Sequence, residues 1–203
     1  MFRMLCPLVL ASESPRRKSL LLLAGLVFTT HPSRIDEPAP PDGRFGPEGP
    51  AATAKDCARL KAEFVSRAHP GAWVLGADTI VVVKDRIFGK PADTSAAVGM
   101  LETLSGRDHE VITGLCLVRK GEGKDVARTG SVVTRVSFKT LSKGEIEAYV
   151  KTGEPLDKAG AYGIQGAGAF LARSVHGSYT NVVGLPLCEV IDWLLGENII
   201  APA

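Results

Sequence analysis

Apolar positions along this chain fall into short unbroken runs that alternate with spaced, helix-like patterns. Pro7 to Ala11 is unbroken and predicts a short buried strand. Ser14-Pro15 then reads as a helix start, with serine as the cap and proline at the first helical position. That helix runs through Leu20–Ala24 and stops at Gly25. A second helix is predicted from Thr53 to Ala68, with Cys57, Leu60, Phe64 and Lys61 toward its apolar face. Val74 to Val83 is the strongest strand pattern, continuous rather than alternating, as in a central strand covered on both faces. A turn at Lys84-Asp85-Arg86, a short strand to Phe88 and Gly89-Lys90-Pro91 follow. Thr94 to Leu104 reads as a helix ending at Gly106. His109–Arg119 and Val126–Phe138 read as long strands joined by the turn Lys120–Lys124. Ser142 and Glu145 form a capping box for a helix to Val150. A glycine-rich tract from Gly153 to Gly168, a strand Ala169–Val175 and a helix Pro186–Leu195 complete the pattern. Strands alternating with helices around one hairpin of long strands predict an α/β fold with a mixed sheet. No internal repeat interrupts it.

Composition narrows the function. The 203 residues are 45% hydrophobic and 23% charged, ordinary for a folded protein. A formal charge of +2 excludes a nucleic-acid coat, so any anion site is a local focus of charge. Four cysteines at 6, 57, 116 and 188 carry no metal or redox spacing and are read as reduced core thiols. The four histidines show no ligand spacing either. The run Leu20–Phe28 after Arg16-Arg17-Lys18 resembles a leader but is too short to span a bilayer. No small-residue cleavage site follows it, and an apolar strand precedes the basic cluster. This argues for a cytoplasmic protein with no membrane partner.

Several residues stand out chemically. Ser12 and Ser14, the amides of a helix start, and Arg16 and Arg17 could cradle a phosphate; a capped helix with solvated arginines is the plain alternative. Arginines at the positive end of a helix should attract an anion. Asp78 lies inside a Val/Ile-rich strand, where an unpaired carboxylate costs several kcal/mol. It is a metal ligand or general base, or else the partner of Lys61 or Lys90 in a structural ion pair. Thr79 beside it adds a second polar group to the same interior. Residues 32–50 hold six of the thirteen prolines and form a loop carrying Glu37. The tract Asp157–Gly168, with Lys158 and Gln165, allows close backbone approach to a ligand.

Together, Leu10-Ala11-Ser12-x-Ser14-Pro15-Arg16-Arg17, Gly76-Ala77-Asp78-Thr79, Gly89-Lys90-Pro91-x-Asp93 and Asp157-Lys158-Ala159-Gly160-Ala161-Tyr162-Gly163-Ile164-Gln165-Gly166 resemble the Maf family of nucleoside triphosphate pyrophosphatases. The resemblance spans about residues 7 to 195 and treats the chain as a single domain. It implies an elongated mixed sheet flanked by helices, similar to the inosine triphosphate pyrophosphatases, with a cleft between two lobes. It further implies cleavage between the α- and β-phosphates with a divalent metal, Mg²⁺ or Mn²⁺, in a cytoplasmic homodimer. Such house-cleaning enzymes are in some cases linked to arrest of septum formation. By motif, Ser12, Arg16 and Arg17 would hold phosphates, Glu37 and Asp78 would serve metal and water, and Lys61, Lys90 and Gln165 would complete the polar cleft. The tract Asp157–Gln165 resembles the branch acting on dTTP and UTP, with Thr79 and Gln165 reading the pyrimidine. Two alternatives are the branch acting on 7-methyl-GTP and a non-catalytic nucleotide-binding regulator of division. Leu60 stands before Lys61 where the family often has glutamate, and the 32–50 loop is unusually rich in proline.

Overall fold

A computed structural model describes residues 1–35, 45–121 and 125–203. In chain order these form β1 (Phe2–Met4), β2 (Leu8–Leu10), α1 (Pro15–Leu23), β3 (Thr29–Thr30), α2 (Pro50–Ser66), β4 (Trp73–Val83), β5 (Arg86–Phe88) and α3 (Thr94–Leu104). They continue as β6 (Asp108–Arg119), β7 (Val126–Phe138), α4 (Lys143–Lys151), β8 (Ala172–His176), α5 (Tyr179–Val183), α6 (Leu187–Gly196) and β9 (Ile200–Pro202). The main sheet has the order β3-β2-β4-β6-β7-β8, with β5 paired to β4. The β2 strand runs parallel to β3 and β4, whereas β6, β7 and β8 extend the sheet antiparallel. The expected α/β fold, a mixed sheet flanked by helices, is therefore what the chain adopts.

The continuous apolar run becomes the centre of the sheet because both its faces are covered. Leu75, Ala77 and Leu115 pack with Leu20 and Leu21 of α1 and with Val190 and Leu194 of α6. On the opposite face, Val74 and Cys116 pack with Ala58, Ala62 and Val65 of α2. Farther along the sheet, Val81, Val111 and Val136 pack with α3 and α4. Burying these side chains stabilises the fold by about 1.5–3 kcal/mol for each large residue.

Helix α2 departs from expectation in an informative way. Its buried residues include Ala54, Cys57, Ala58, Lys61, Ala62, Val65 and Ser66, while Leu60 and Phe64 are 37% and 41% exposed. Cys57 and Lys61 are buried as expected, whereas the placing of Leu60 and Phe64 on that face is corrected: alanines take their place. The reason lies in the sheet beneath. A Cβ on Gly76 would stand 2.3 Å from the Ala58 carbonyl oxygen, and one on Gly114 would stand 2.1 Å from that of Ala54. The helix backbone lies directly on two strands, and only small side chains fit between.

Other differences follow from length. The two- and three-residue strands β1, β3 and β9 and the five-residue α5 carry no readable period. Strand β8 begins at Ala172 because Gly166–Phe170 winds into a 3₁₀ turn. Part of the turn predicted at Lys120–Lys124 lies outside the described residues. The reading of all four cysteines as core thiols is also corrected: Cys57 and Cys116 are buried, Cys6 is half-buried and Cys188 is exposed. Among the described residues no helix is long and apolar enough to cross a membrane.

Candidate active site

The cleft is built where β2 gives way to α1. Leu10 pairs with Leu75, so the end of β2 sits beside the Gly76-Ala77-Asp78 stretch of β4. The chain then turns through Ser12 and Ser14 into α1. Ser14 caps the helix by accepting from the Arg17 amide, Pro15 occupies the first turn, and Ser12 Oγ accepts from the Ser14 amide at 3.2 Å. The helix start predicted from Ser14-Pro15 is thus observed, with both serines and both arginines on the cleft wall.

Asp78 projects toward α2, where Lys61 Nζ donates to its Oδ1 at 2.6 Å. Both side chains are less than a tenth exposed, at 8% for Lys61 and 9% for Asp78. Of the two lysines weighed as its partner, the structure selects Lys61. The pair is both a structural ion pair and part of the cleft wall. Thr79, the next residue, turns to other partners: its hydroxyl accepts from Arg17 Nη2 at 3.1 Å and lies 2.9 Å from Thr113 Oγ1. Successive side chains of a strand leave opposite faces, so Asp78 and Thr79 do not share one set of polar neighbours, as the sequence had suggested.

The far wall comes from the glycine-rich tract. Arg16 Nη1 donates to Asp157 Oδ2 at 2.8 Å, and Lys158 Nζ donates to Asp157 Oδ1 at 2.7 Å. Asp157 supplies an anion to Arg16, one of the two arginines at the start of α1. Partial burial pushes its carboxyl up, but Lys158 and Arg16 together outweigh this and hold it below the usual carboxylate range. Gln165 is exposed at the cleft and immediately precedes the 3₁₀ turn Gly166–Phe170. That turn is anchored by Glu154, which accepts from the Ala167 amide at 2.9 Å, the Gly168 amide at 3.3 Å and the Tyr149 hydroxyl at 2.9 Å. Lys90 lies exposed on the cleft rim.

The cleft has a volume of about 380 Å³, within the range of small-molecule sites. Arg16, Arg17, Lys61, Lys90 and Lys158 outnumber Glu13, Asp78 and Asp157 among its described lining residues. It is therefore cationic overall in a nearly neutral protein. Ser12, Ser14, Arg16, Arg17, Lys61, Asp78, Thr79, Lys90, Asp157, Lys158 and Gln165 all line it. Glu37, the remaining predicted residue, lies outside the described residues.

Among the described residues no group of three His, Cys, Asp or Glu side chains could hold a metal ion alone. The donor set still suits a hard divalent cation, because Mg²⁺ is commonly held by one or two carboxylates together with substrate phosphates. Asp78 offers such a carboxylate beside cationic groups suited to phosphates.

The sequence reading missed Glu154, Thr113 and Gly184. An acceptor for the amides of the glycine-rich tract could have been sought in Glu154. A lone threonine in a strand and a backbone carbonyl leave no such signal.

A mixed sheet whose parallel strand ends open into a small cationic cleft defines an α/β protein built to hold a phosphorylated ligand. The chain belongs to the family described as Maf-like protein, whose model matches residues 7–197. It is 51% identical over 190 residues to a dTTP/UTP pyrophosphatase of Moorella thermoacetica, covering 92% of this chain and 93% of that one. It is 46% identical over 195 residues to a dTTP/UTP pyrophosphatase of Desulfotalea psychrophila, covering 96% of each. A dTTP/UTP pyrophosphatase of Myxococcus xanthus is 50% identical over 187 residues, covering 92% of this chain and 90% of the relative.

Proposed function

We propose that this chain hydrolyses dTTP and UTP to the nucleoside monophosphate and pyrophosphate. The observation that carries the reading is one shared cleft holding the Asp78–Lys61 pair, both arginines of the α1 start and Lys90. The relatives, dTTP/UTP pyrophosphatases by name, support the choice of nucleotide.

A nucleoside triphosphate brings about four negative charges at neutral pH, and the cationic walls meet them. Arg17 and the serine-capped start of α1 receive phosphate oxygens, Lys90 neutralises others from the rim, and Arg16 and Lys158 close the far side. Lys61 holds one oxygen of Asp78 and fixes the carboxylate's direction. One water is consumed: its oxygen bonds to phosphorus, the α,β-bridging P–O bond breaks, and pyrophosphate departs. Asp78 orients that water and draws off its proton. Asp78 and Glu37 are the carboxylates assigned to Mg²⁺ or Mn²⁺. Such an ion supplies, when bound, charge neutralisation and a more acidic water. Thr79 and Gln165 are assigned to reading the pyrimidine. The homodimer and the cytoplasmic setting implied by the family resemblance belong to the same proposal, and sedimentation equilibrium tests the former.

The deciding assay incubates purified protein and Mg²⁺ or Mn²⁺ with dTTP, UTP, dCTP and 7-methyl-GTP, separating products by chromatography. dTMP or UMP with pyrophosphate is expected, with dCTP and 7-methyl-GTP turned over poorly. Release of orthophosphate and a nucleoside diphosphate, preference for 7-methyl-GTP, or binding without turnover would each overturn the proposal.

A further inference from the structure

Arg17 has a long side chain on the first turn of a helix, yet among the described residues three acceptors hold its guanidinium. Nε donates to the Gly184 carbonyl at 2.8 Å, Nη1 to Ser12 Oγ at 3.2 Å and Nη2 to Thr79 Oγ1 at 3.1 Å. Two of these acceptors are themselves held from deeper in the protein. Thr79 Oγ1 lies 2.9 Å from Thr113 Oγ1, its cross-strand neighbour on β6. Thr113 Oγ1 in turn lies 3.3 Å from the Asn181 carbonyl oxygen.

A guanidinium only donates, a carbonyl only accepts, and each hydroxyl has one proton. Thr79 Oγ1 has a second acceptor in the Gly184 carbonyl at 3.4 Å, so the proton between Thr79 and Thr113 can be given by either hydroxyl. In both arrangements the contacts run from Arg17 through Thr79 to Thr113, with Asn181 and Gly184 as the carbonyl ends, each bond polarising the next.

Asn181 holds the other acceptor as well. Its Nδ2 donates to the Val111 carbonyl at 3.0 Å and to Thr134 Oγ1 at 2.9 Å, tying α5 to β6 and β7. Its carbonyl accepts from the Gly184 amide at 2.9 Å, the turn whose carbonyl receives Arg17 Nε. Thr113, Thr134 and Asn181 are all fully buried, at 0% exposure. A valine would fill the space of Thr113 without the cost of burying a hydroxyl. What the hydroxyl adds is a fixed polar partner for Thr79 and for the Asn181 carbonyl.

We propose that Thr113 and Asn181 are positioning residues that hold the Arg17 guanidinium in the orientation that receives a triphosphate; the inference rests on reading the cleft as a phosphate site. Neither lines the cleft, so they act through Arg17, Thr79 and Gly184.

Thr113→Val keeps the shape and removes the link. In the folded variant, KM for dTTP should rise by about five- to tenfold, because Thr79 loses the hydroxyl that fixes it beneath Arg17. The value of kcat should fall less, and Thr113→Ser should restore KM. Adding Thr113→Val to Arg17→Ala should cost nothing further. Affinity for inorganic tripolyphosphate, read by calorimetry, should fall in parallel. If Thr113→Val does not fold, Thr113→Ala carries the same expectations. Unchanged KM and tripolyphosphate affinity, or additive losses in the double variant, would overturn the proposal. If the wild-type protein hydrolyses no dTTP, the functional reading fails, and the wild-type to Thr113→Val ratio of tripolyphosphate affinities still decides the positioning role.

Discussion

Asp78 shows how one residue can serve structure and chemistry together. Its carboxylate sits in an apolar strand at the cost of desolvation, offset by Lys61 at 2.6 Å. Replacing it with asparagine therefore changes two properties. Asp78→Asn should abolish most turnover, and it should also lower stability by about 2–3 kcal/mol by weakening a buried charge-assisted contact. In a chain of this size that is about 4–12 °C in Tm. Calorimetry on Asp78→Asn and on Asp78→Asn with Lys61→Met separates the two effects. The double variant should regain much of the Tm and none of the turnover, and recovered turnover would remove Asp78 from the chemistry. This residue was legible in the sequence because a carboxylate amid valines and isoleucines is an energetic anomaly. Thr113 and Asn181 were not legible. Threonine is a good strand former, and asparagine is common near turns, so neither looks out of place until the sheet brings them together.

At the scale of elements, the cleft depends on how closely α2 lies on β4 and β6. Lys61 reaches Asp78 because Gly76 and Gly114 let the helix backbone touch the sheet. Gly114→Ala would set a methyl group 2.1 Å from the Ala54 carbonyl oxygen, so the helix must move. Overpacking of this kind costs about 1–3 kcal/mol or more, and it should carry Lys61 away from Asp78. Stability and turnover should fall together. Gly99→Ala is the control: it lies within α3, and a Cβ there meets nothing within 4 Å. It should gain up to about 1 kcal/mol from helix propensity and leave turnover unchanged. Urea unfolding of both variants beside their dTTP turnover checks the pair, and an active, fully stable Gly114→Ala would refute the close-contact account. The α2 helix itself was predicted from its period, and Cys57 and Lys61 of its buried face with it, but the rest of that face was not. Apolar size pointed to Leu60 and Phe64, whereas contact distance selects alanine, a preference set by glycines on strands far away in sequence. The 3₁₀ turn after Gln165 was hidden for a related reason, since its anchor, Glu154, acts across thirteen residues on the Ala167 amide.

For the whole molecule, a formal charge of only +2 keeps general charge repulsion small near neutral pH, so the onset of pH dependence just below it falls to particular side chains. Individual groups decide it, and His109 is foremost. Its ring packs edge-on against Phe138 and Tyr162, with centroids 4.9 and 5.3 Å apart, and Nε2 lies 2.7 Å from the Tyr162 hydroxyl. Burial lowers its pKa from 6.5 to about 4, against the opposing effects of the Arg107 backbone and Asp108. The folded state thus keeps the ring neutral while the unfolded chain takes up a proton near pH 6.5. The stability associated with His109 is complete above pH 6.5 and declines as the pH falls toward about 4. The total loss is about 3 kcal/mol, with a slope of up to about 1.4 kcal/mol per pH unit. Below that window the folded-state carboxylates held low by their partners, Asp157 among them, add their own losses as they protonate. His109→Gln should give a lower plateau at pH 7, because the ring contacts are lost, but a nearly flat profile between pH 6.5 and 4.5. Urea midpoints across that range for both proteins measure the difference. Parallel slopes would show that His109 is not the group that couples this core to pH.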